Sequence, residues 1–181
     1  MNPDNELQYK FDGQWVDLEV KKIKLKIKGI PINVKRKVYW SKYGATMKNE
    51  QGFFSLRLGA NMKIGVLDQW YQMNKAKNFT EFYAAISRQE LSMFNIMYAD
   101  RYDTIFYINN ALMPVRDATV NYNWKKTLPG NTSRTLWTQF RSEKELPQYL
   151  NQKSGFWFKT NHSSFLATGK KDNLKPTNKS H

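Results

Sequence analysis

Two imidazoles and no thiol limit the chemistry that this chain can perform with its own side chains. Among its 181 residues the only histidines are His162 and His181, and there is no Cys. Disulfides, thiolate metal sites and a cysteine nucleophile are therefore excluded. A histidine-rich metal centre or a Ser-His-Asp triad asks for more imidazole than is present. The sequence has no Gly-rich phosphate loop, no metal-ligand spacing and no pair of acids on one helical face. No catalytic constellation is complete from residue types alone, so the elements that would position a site carry more of the reading.

The composition is that of a folding chain. Hydrophobic residues make up 40% and aromatics 15%, more aromatic surface than disordered chains carry. The length suits one domain or a large piece of one. No apolar run approaches the roughly 18 residues of a membrane span, and a membrane partner is not expected. Met1 to Glu6 is polar and acidic and does not read as a signal peptide.

Lys and Arg number 29 against 15 Asp and Glu, a formal net charge of +14. Such a surplus raises nucleic acid as a partner, but its distribution argues against that reading. In the densest basic stretch, Lys21 to Lys37, Ile23, Leu25 and Ile27 alternate with Lys22, Lys24, Lys26 and Lys28. Period-two alternation predicts a strand with one face buried and the lysines on the wet face. Lysines on an edge strand also guard it against unwanted pairing.

The N-terminal third reads as β structure. A strand over Leu7 to Phe11 meets Asp12-Gly13, residues suited to a tight hairpin turn. The lysine strand follows, broken at Gly29-Ile30-Pro31. Further strands are expected over Ile32 to Ser41 and Gly52 to Leu58, all antiparallel because the links are short. The period then changes: Leu67, Trp70 and Tyr71 predict a helix over about 64–77. Asn78 with Glu81 has the form of a capping box for a second helix over about 79–89. Met93 to Asp100 and Thr104 to Asn109 form a strand pair, each expected to be buried on both faces. Met113 to Gln152 shows little periodicity, and Gly155 to Asn161 reads as a final aromatic strand. The fold class is α+β: one domain over residues 1–169 and a polar tail over 170–181.

Several short segments carry a family resemblance. They are Ser41-Lys42-Tyr43-Gly44-Ala45, Met73-Asn74-Lys75-Ala76-Lys77-Asn78-Phe79, Phe94-Asn95 with Tyr98-Ala99-Asp100-Arg101, Pro114-Val115-Arg116, Leu128-Pro129-Gly130-Asn131, Glu145-Leu146-Pro147-Gln148, Ser154-Gly155-Phe156 and Thr160-Asn161. In this order and spacing the chain resembles the penicillin amidase family of N-terminal-nucleophile hydrolases, from about Leu7 to Gly169. That family includes penicillin, cephalosporin, aculeacin and acyl-homoserine-lactone acylases.

The resemblance implies part of a four-layer αββα sandwich with stacked antiparallel sheets. It implies hydrolysis of a linear amide by a serine at the start of a second chain, whose own α-amine is the base. It places an oxyanion-stabilising Asn at Asn161. It implies structural roles for Asp100, Arg101 and Arg116, and turns at Gly44 and Gly130. His162 is expected to be an ordinary loop histidine. Phe53, Phe54, Trp70 and Phe94 fit an apolar acyl pocket or a core equally well.

The matched region departs from the family in ways that bear on activity. Met1-Asn2-Pro3-Asp4 does not resemble the nucleophile junction, and Ser41 and Ser55 are internal. The Arg expected after Asn161 would lie beyond His181. The chain is thus expected to be an inactive internal fragment of the nucleophile-bearing chain, partnered by the rest of the precursor and a small acyl-amide. No cofactor is expected. Calcium occurs in relatives, but its ligands cannot be assigned to residues here. Relatives are usually exported. The rival reading is a non-catalytic basic module that binds nucleic acid or an acidic surface.

Overall fold

A computed structural model of the chain describes residues 1–29, 31–91 and 93–175. Ile30, the centre of the expected break, lies outside the described residues, as do residues 176–181 of the expected tail with His181. The chain divides into two compact units, residues 1–58 with 116–138, and residues 59–115 with 139–181. Among the described residues, no helix is long and apolar enough to cross a membrane.

The first unit begins with the hairpin β1 (Gln8–Phe11) and β2 (Gln14–Asp17), which pair antiparallel. Its turn is Asp12-Gly13, with φ of 46° and 86°, the left-handed pair that a two-residue hairpin requires. Four more strands form an antiparallel sheet in sequence order: β3 (Glu19–Lys26), β4 (Asn33–Ser41), β5 (Gly44–Asn49) and β6 (Gly52–Ser55). The short strand β5 is absent from the sequence reading. Gly44 (φ 117°) allows the return between β4 and β5, and a Cβ there would sit 3.6 Å from the Leu56 carbonyl oxygen. Tyr9, Phe11 and Leu18 form the core of this unit with Tyr39, Tyr43, Phe53 and Leu136 around them.

The buried apolar face predicted for the lysine strand is not found. Ile23, Leu25 and Ile27 are exposed by 38%, 44% and 44%. The cause is the pairing. β5 meets β4 only over Tyr39–Ser41, whereas β3 meets β4 along all eight residues of β3. The outer part of β3 and β4 is therefore a two-stranded ribbon.

The 116–138 segment is held by polar contacts instead of regular elements. Asp12 Oδ1 accepts the Ser133 N–H at 2.9 Å, and Tyr43 donates its hydroxyl to the Thr132 carbonyl oxygen at 2.5 Å. Arg57, which has no carboxylate partner among the described residues, donates to the carbonyl oxygens of Tyr43 at 3.1 Å and Trp137 at 2.7 Å. Arg116 lies over the Trp124 ring at 5.2 Å. Asp117 accepts the hydroxyl of Thr119 at 2.6 Å, its N–H at 2.8 Å and Arg134 Nε at 3.0 Å. These bonds hold the Asp117 carboxyl down to about 2.

The second unit holds α1 (Val66–Lys75) and α2 (Phe79–Ile86). Both are shorter than expected. Before α1, residues Gly59–Met62 form a 3-10 turn. Ala76 leaves the helix at ψ 132°, and Gln89 turns left-handed at φ 51° after α2. The Asn78–Glu81 cap is present, with Asn78 Oδ1 accepting the Glu81 N–H at 3.0 Å. A three-stranded antiparallel sheet follows in the order β7 (Phe94–Ala99), β8 (Ile105–Asn110), β9 (Gln148–Leu150).

Only β8 is buried on both faces. β7 buries Ile96 alone because it is an edge strand. The irregular stretch from Met113 supplies β9, which sequence periodicity does not reveal at three residues. Asp100 pins the β7–β8 turn as expected, its Oδ1 accepting the N–H groups of Tyr102 and Thr104. Arg101 instead stacks on the neighbouring Tyr102 ring at 5.0 Å.

Phe106 and Ile108 of β8 pack with Phe82, Ile86, Leu91, Ile96 and Leu146. Beside this core sits a fully buried polar side chain, Gln69 of α1. Its Oε1 accepts the N–H groups of Glu90 at 2.6 Å and Leu91 at 2.8 Å. Buried donors left unpaired cost about 1–3 kcal/mol each. Gln69→Leu, close in size, is therefore expected to destabilise the second unit by about 2–4 kcal/mol, read by denaturant unfolding; no loss of stability would remove the clamp role.

In the first unit, Asp117 has a folded-state pKa below its unfolded value. Its contribution is present above pH 4 and lost as pH falls from about 4 through about 2. Asp117→Asn is expected to weaken the fall in melting temperature across that window. An unchanged acid profile would count against it.

Candidate functional site

Asn161, the candidate oxyanion donor, lies on a strap in the second unit. Its support begins at β8. Tyr107 of β8 faces away from Phe106 and Ile108, as alternation requires, and packs with Tyr149, Ala167 and Trp157. The strap over residues 154–174 lies on this face. Trp157 forms an isolated bridge with Thr168, and the Phe158 N–H donates to the Ala167 carbonyl oxygen at 2.8 Å.

Side chains close the strap on itself. Ser154 Oγ and Thr168 Oγ1 lie 2.8 Å apart, and Thr168 Oγ1 donates to the Phe156 carbonyl oxygen at 2.7 Å. The Asp172 carboxylate accepts the Ser154 N–H at 2.7 Å, which holds its pKa below the ordinary value. The Leu174 N–H donates to the Tyr149 hydroxyl at 3.1 Å. Gly169 is required here by space, since a Cβ would come within 2.7 Å of Ser154 Cβ.

The aromatic strand expected over Gly155 to Asn161 is not formed. Outside the single bridge at Trp157 this stretch is irregular, and Asn161 sits in a bend with φ 61°. Asn is among the few residues that adopt this left-handed conformation readily. The Asn161 side chain is exposed and makes no hydrogen bond among the described residues. Its amide is a neutral donor that carries no commitment to the fold.

The neighbouring His162 is a strut, a part that its residue type does not announce. Its Nδ1 lies 3.2 Å from the Thr160 N and 3.0 Å from Thr160 Oγ1, and its Nε2 lies 2.9 Å from the Leu166 carbonyl oxygen. The ring stacks on Phe158 at 4.9 Å. A backbone N–H can only donate, so Nδ1 must accept. A carbonyl can only accept, so Nε2 carries the hydrogen. Both nitrogens are thus engaged in spanning the bend that bears Asn161, and the imidazole is not free to act as a base.

The aromatic candidates separate by their surroundings. Phe53 packs edge-on against Tyr39 at 5.2 Å in the first unit's core. Its neighbour Phe54 pairs with Met47 on the other face of the sheet. In the second unit, Trp70 meets Phe94 edge-on at 6.4 Å, both half-exposed. Among the described residues, no group of three or more His, Asp or Glu gathers that could hold a metal ion.

The assigned tautomer is directly testable. Nitrogen NMR of His162 at neutral pH is expected to report a protonated Nε2 and an accepting Nδ1. The opposite tautomer would break the strut assignment.

Comparison with known proteins agrees with this architecture. Residues 1–180 match the penicillin amidase family. The acyl-homoserine lactone acylase PvdQ of Pseudomonas syringae pv. tomato is 30% identical over 134 residues. PvdQ of Pseudomonas putida is 25% identical over 129 residues. Each match takes in 65% of this chain and 17% of the relative, so the chain spans about a sixth of the curated relatives' length. A thermostable penicillin G acylase from Alcaligenes faecalis shares the fold with a TM-score of 0.77 at 23% identity, over 99% of this chain and 31% of that one. The antiparallel sheets and short helical middle segment are those of an N-terminal-nucleophile hydrolase fold. With the family matched along nearly its whole length, the chain belongs to the penicillin amidase family.

Proposed function

We propose that this chain is the part of an acylase that supplies Asn161 as an oxyanion donor, while the nucleophile lies in polypeptide outside it. The reaction is hydrolysis of a linear amide that joins an acyl chain to an amine. The observation that carries the reading is the Asn161 amide, unbonded and presented on a bend that His162 spans.

The chemistry follows the family scheme. A serine hydroxyl attacks the amide carbon, and the serine's own α-amine, with an ordinary pKa of about 8, takes the hydroxyl proton. The carbonyl oxygen becomes an oxyanion, and an Asn161 N–H donates to it. Collapse of the intermediate breaks the C–N bond, and the amine leaves with the proton. Water then releases the acyl group from the serine. A neutral donor suits the oxyanion because it needs no protonation and is already oriented.

Within the chain, no side chain described above combines a nucleophile with a free base. Both His162 nitrogens are committed, and each serine in the sequence follows another residue, so none offers a free α-amine. The isolated chain is therefore expected to give no turnover of an acyl p-nitroanilide. Turnover by the chain alone would overturn the external nucleophile. In the polypeptide that joins this segment to a serine-initiated chain, Asn161→Ala is expected to lower kcat by about 10²–10³ with little change in KM. Near-wild-type kcat would remove Asn161 from the oxyanion site.

A further inference from the structure

We propose that the free edge of β3 is a docking site for an extended polypeptide strand in which acidic and apolar residues alternate. Three observations meet there. First, β3 pairs with β4 alone, so its other edge carries unpaired backbone donors and acceptors among the described residues. Such an edge is a template for strand addition.

Second, the register places like charges opposite each other. Lys22 faces Lys37, and Lys24 faces Lys35, with Lys26 beyond them opposite Asn33. Residues directly opposite share a face, and like charges there repel. Among the described residues, none of these five lysines has an ion-pair partner; the ribbon's one ion pair, Lys21–Glu19 at 2.9 Å, lies on the other face. Third, that other face presents Ile23 and Leu25 uncovered.

One occupant answers all three. A strand laid along β3 turns successive side chains to alternate faces. Acidic residues at every second position meet Lys22, Lys24 and Lys26. The apolar residues between them cover Ile23 and Leu25. The main chain satisfies the edge. A nucleic-acid strand would meet the amines and leave the edge and the apolar face bare. A membrane surface would have to meet amines and apolar side chains that point in opposite directions. The lysines that bar a neutral or basic strand from this edge thus select an acidic one.

The test uses the whole chain and a capped peptide of alternating Glu and Val, eight residues long to match β3. The controls are a peptide of the same composition with Glu and Val in blocks, and a single-stranded oligonucleotide. The alternating peptide is expected to bind, to slow hydrogen exchange at the β3 amides that do not bond β4, and to weaken between about 50 and 200 mM salt. Lys22→Glu with Lys24→Glu is expected to cost about tenfold or more in affinity. Lys125→Glu with Lys126→Glu should change it by less than about twofold. Equal binding of the block peptide, or tighter binding of the oligonucleotide, would overturn the proposal in favour of charge alone. Binding without protection of the β3 edge would overturn it as well. No turnover is measured, so the result stands apart from the acylase reading.

Discussion

The burial of β8 on both faces is the constraint on which the second unit depends. A strand that is dry on both sides must be matched by two separate sets of side chains. Phe106 and Ile108 take the first set, from the helices and β7. Tyr107 takes the second, from β9 and the strap. The Tyr107 hydroxyl then needs polar partners, since a buried phenol without one is costly. It donates to Asn95 Oδ1 at 2.7 Å and lies 3.0 Å from Ser164 Oγ. Through Ser164 the central strand reaches the segment that carries Asn161 and His162. The candidate donor is thus positioned by the hydrophobic requirement of a strand it does not touch.

Neutral hydrogen bonds dominate this part of the molecule. The strap closes through hydroxyls, amides, one carboxylate and the Lys159 ammonium, which donates to the His162 carbonyl oxygen, and the bend at Asn161 is spanned by the His162 imidazole. Stabilising a developing negative charge benefits from such surroundings, because fixed dipoles cost no reorganisation when the charge forms. The densest run of lysines lies elsewhere, on the ribbon of β3 and β4, while the strap carries Lys159, Lys170 and Lys171.

Much of the fold was legible in local patterns. The Asp12-Gly13 turn, the Asn78–Glu81 cap and the pinning role of Asp100 depend on residues close in sequence, and each is found. What escaped depends on distant partners. β9 is three residues long and exists because β8 offers an edge to Gln148–Leu150. β7 looked as apolar as β8, and only strand order separates an edge from a centre. The alternation in β3 correctly gave a strand, but burial of its apolar face requires a covering layer that periodicity cannot supply. Asn161 was reached through family resemblance. The asparagine type suits its left-handed bend, but the His162 strut had no signal in residue type, since it rests largely on backbone groups of Thr160 and Leu166.

Gln69 has a consequence of a different kind. It is the one fully buried residue of α1, whose Leu67, Trp70 and Tyr71 remain exposed. A purely apolar contact would tolerate some sliding of the helix along its axis, because apolar contact is not directional. An amide oxygen shared by two fixed backbone N–H groups has a single acceptable address. α1 is therefore indexed along its axis like a key in a slot, and its outward aromatics keep one bearing whatever later comes to lie against them.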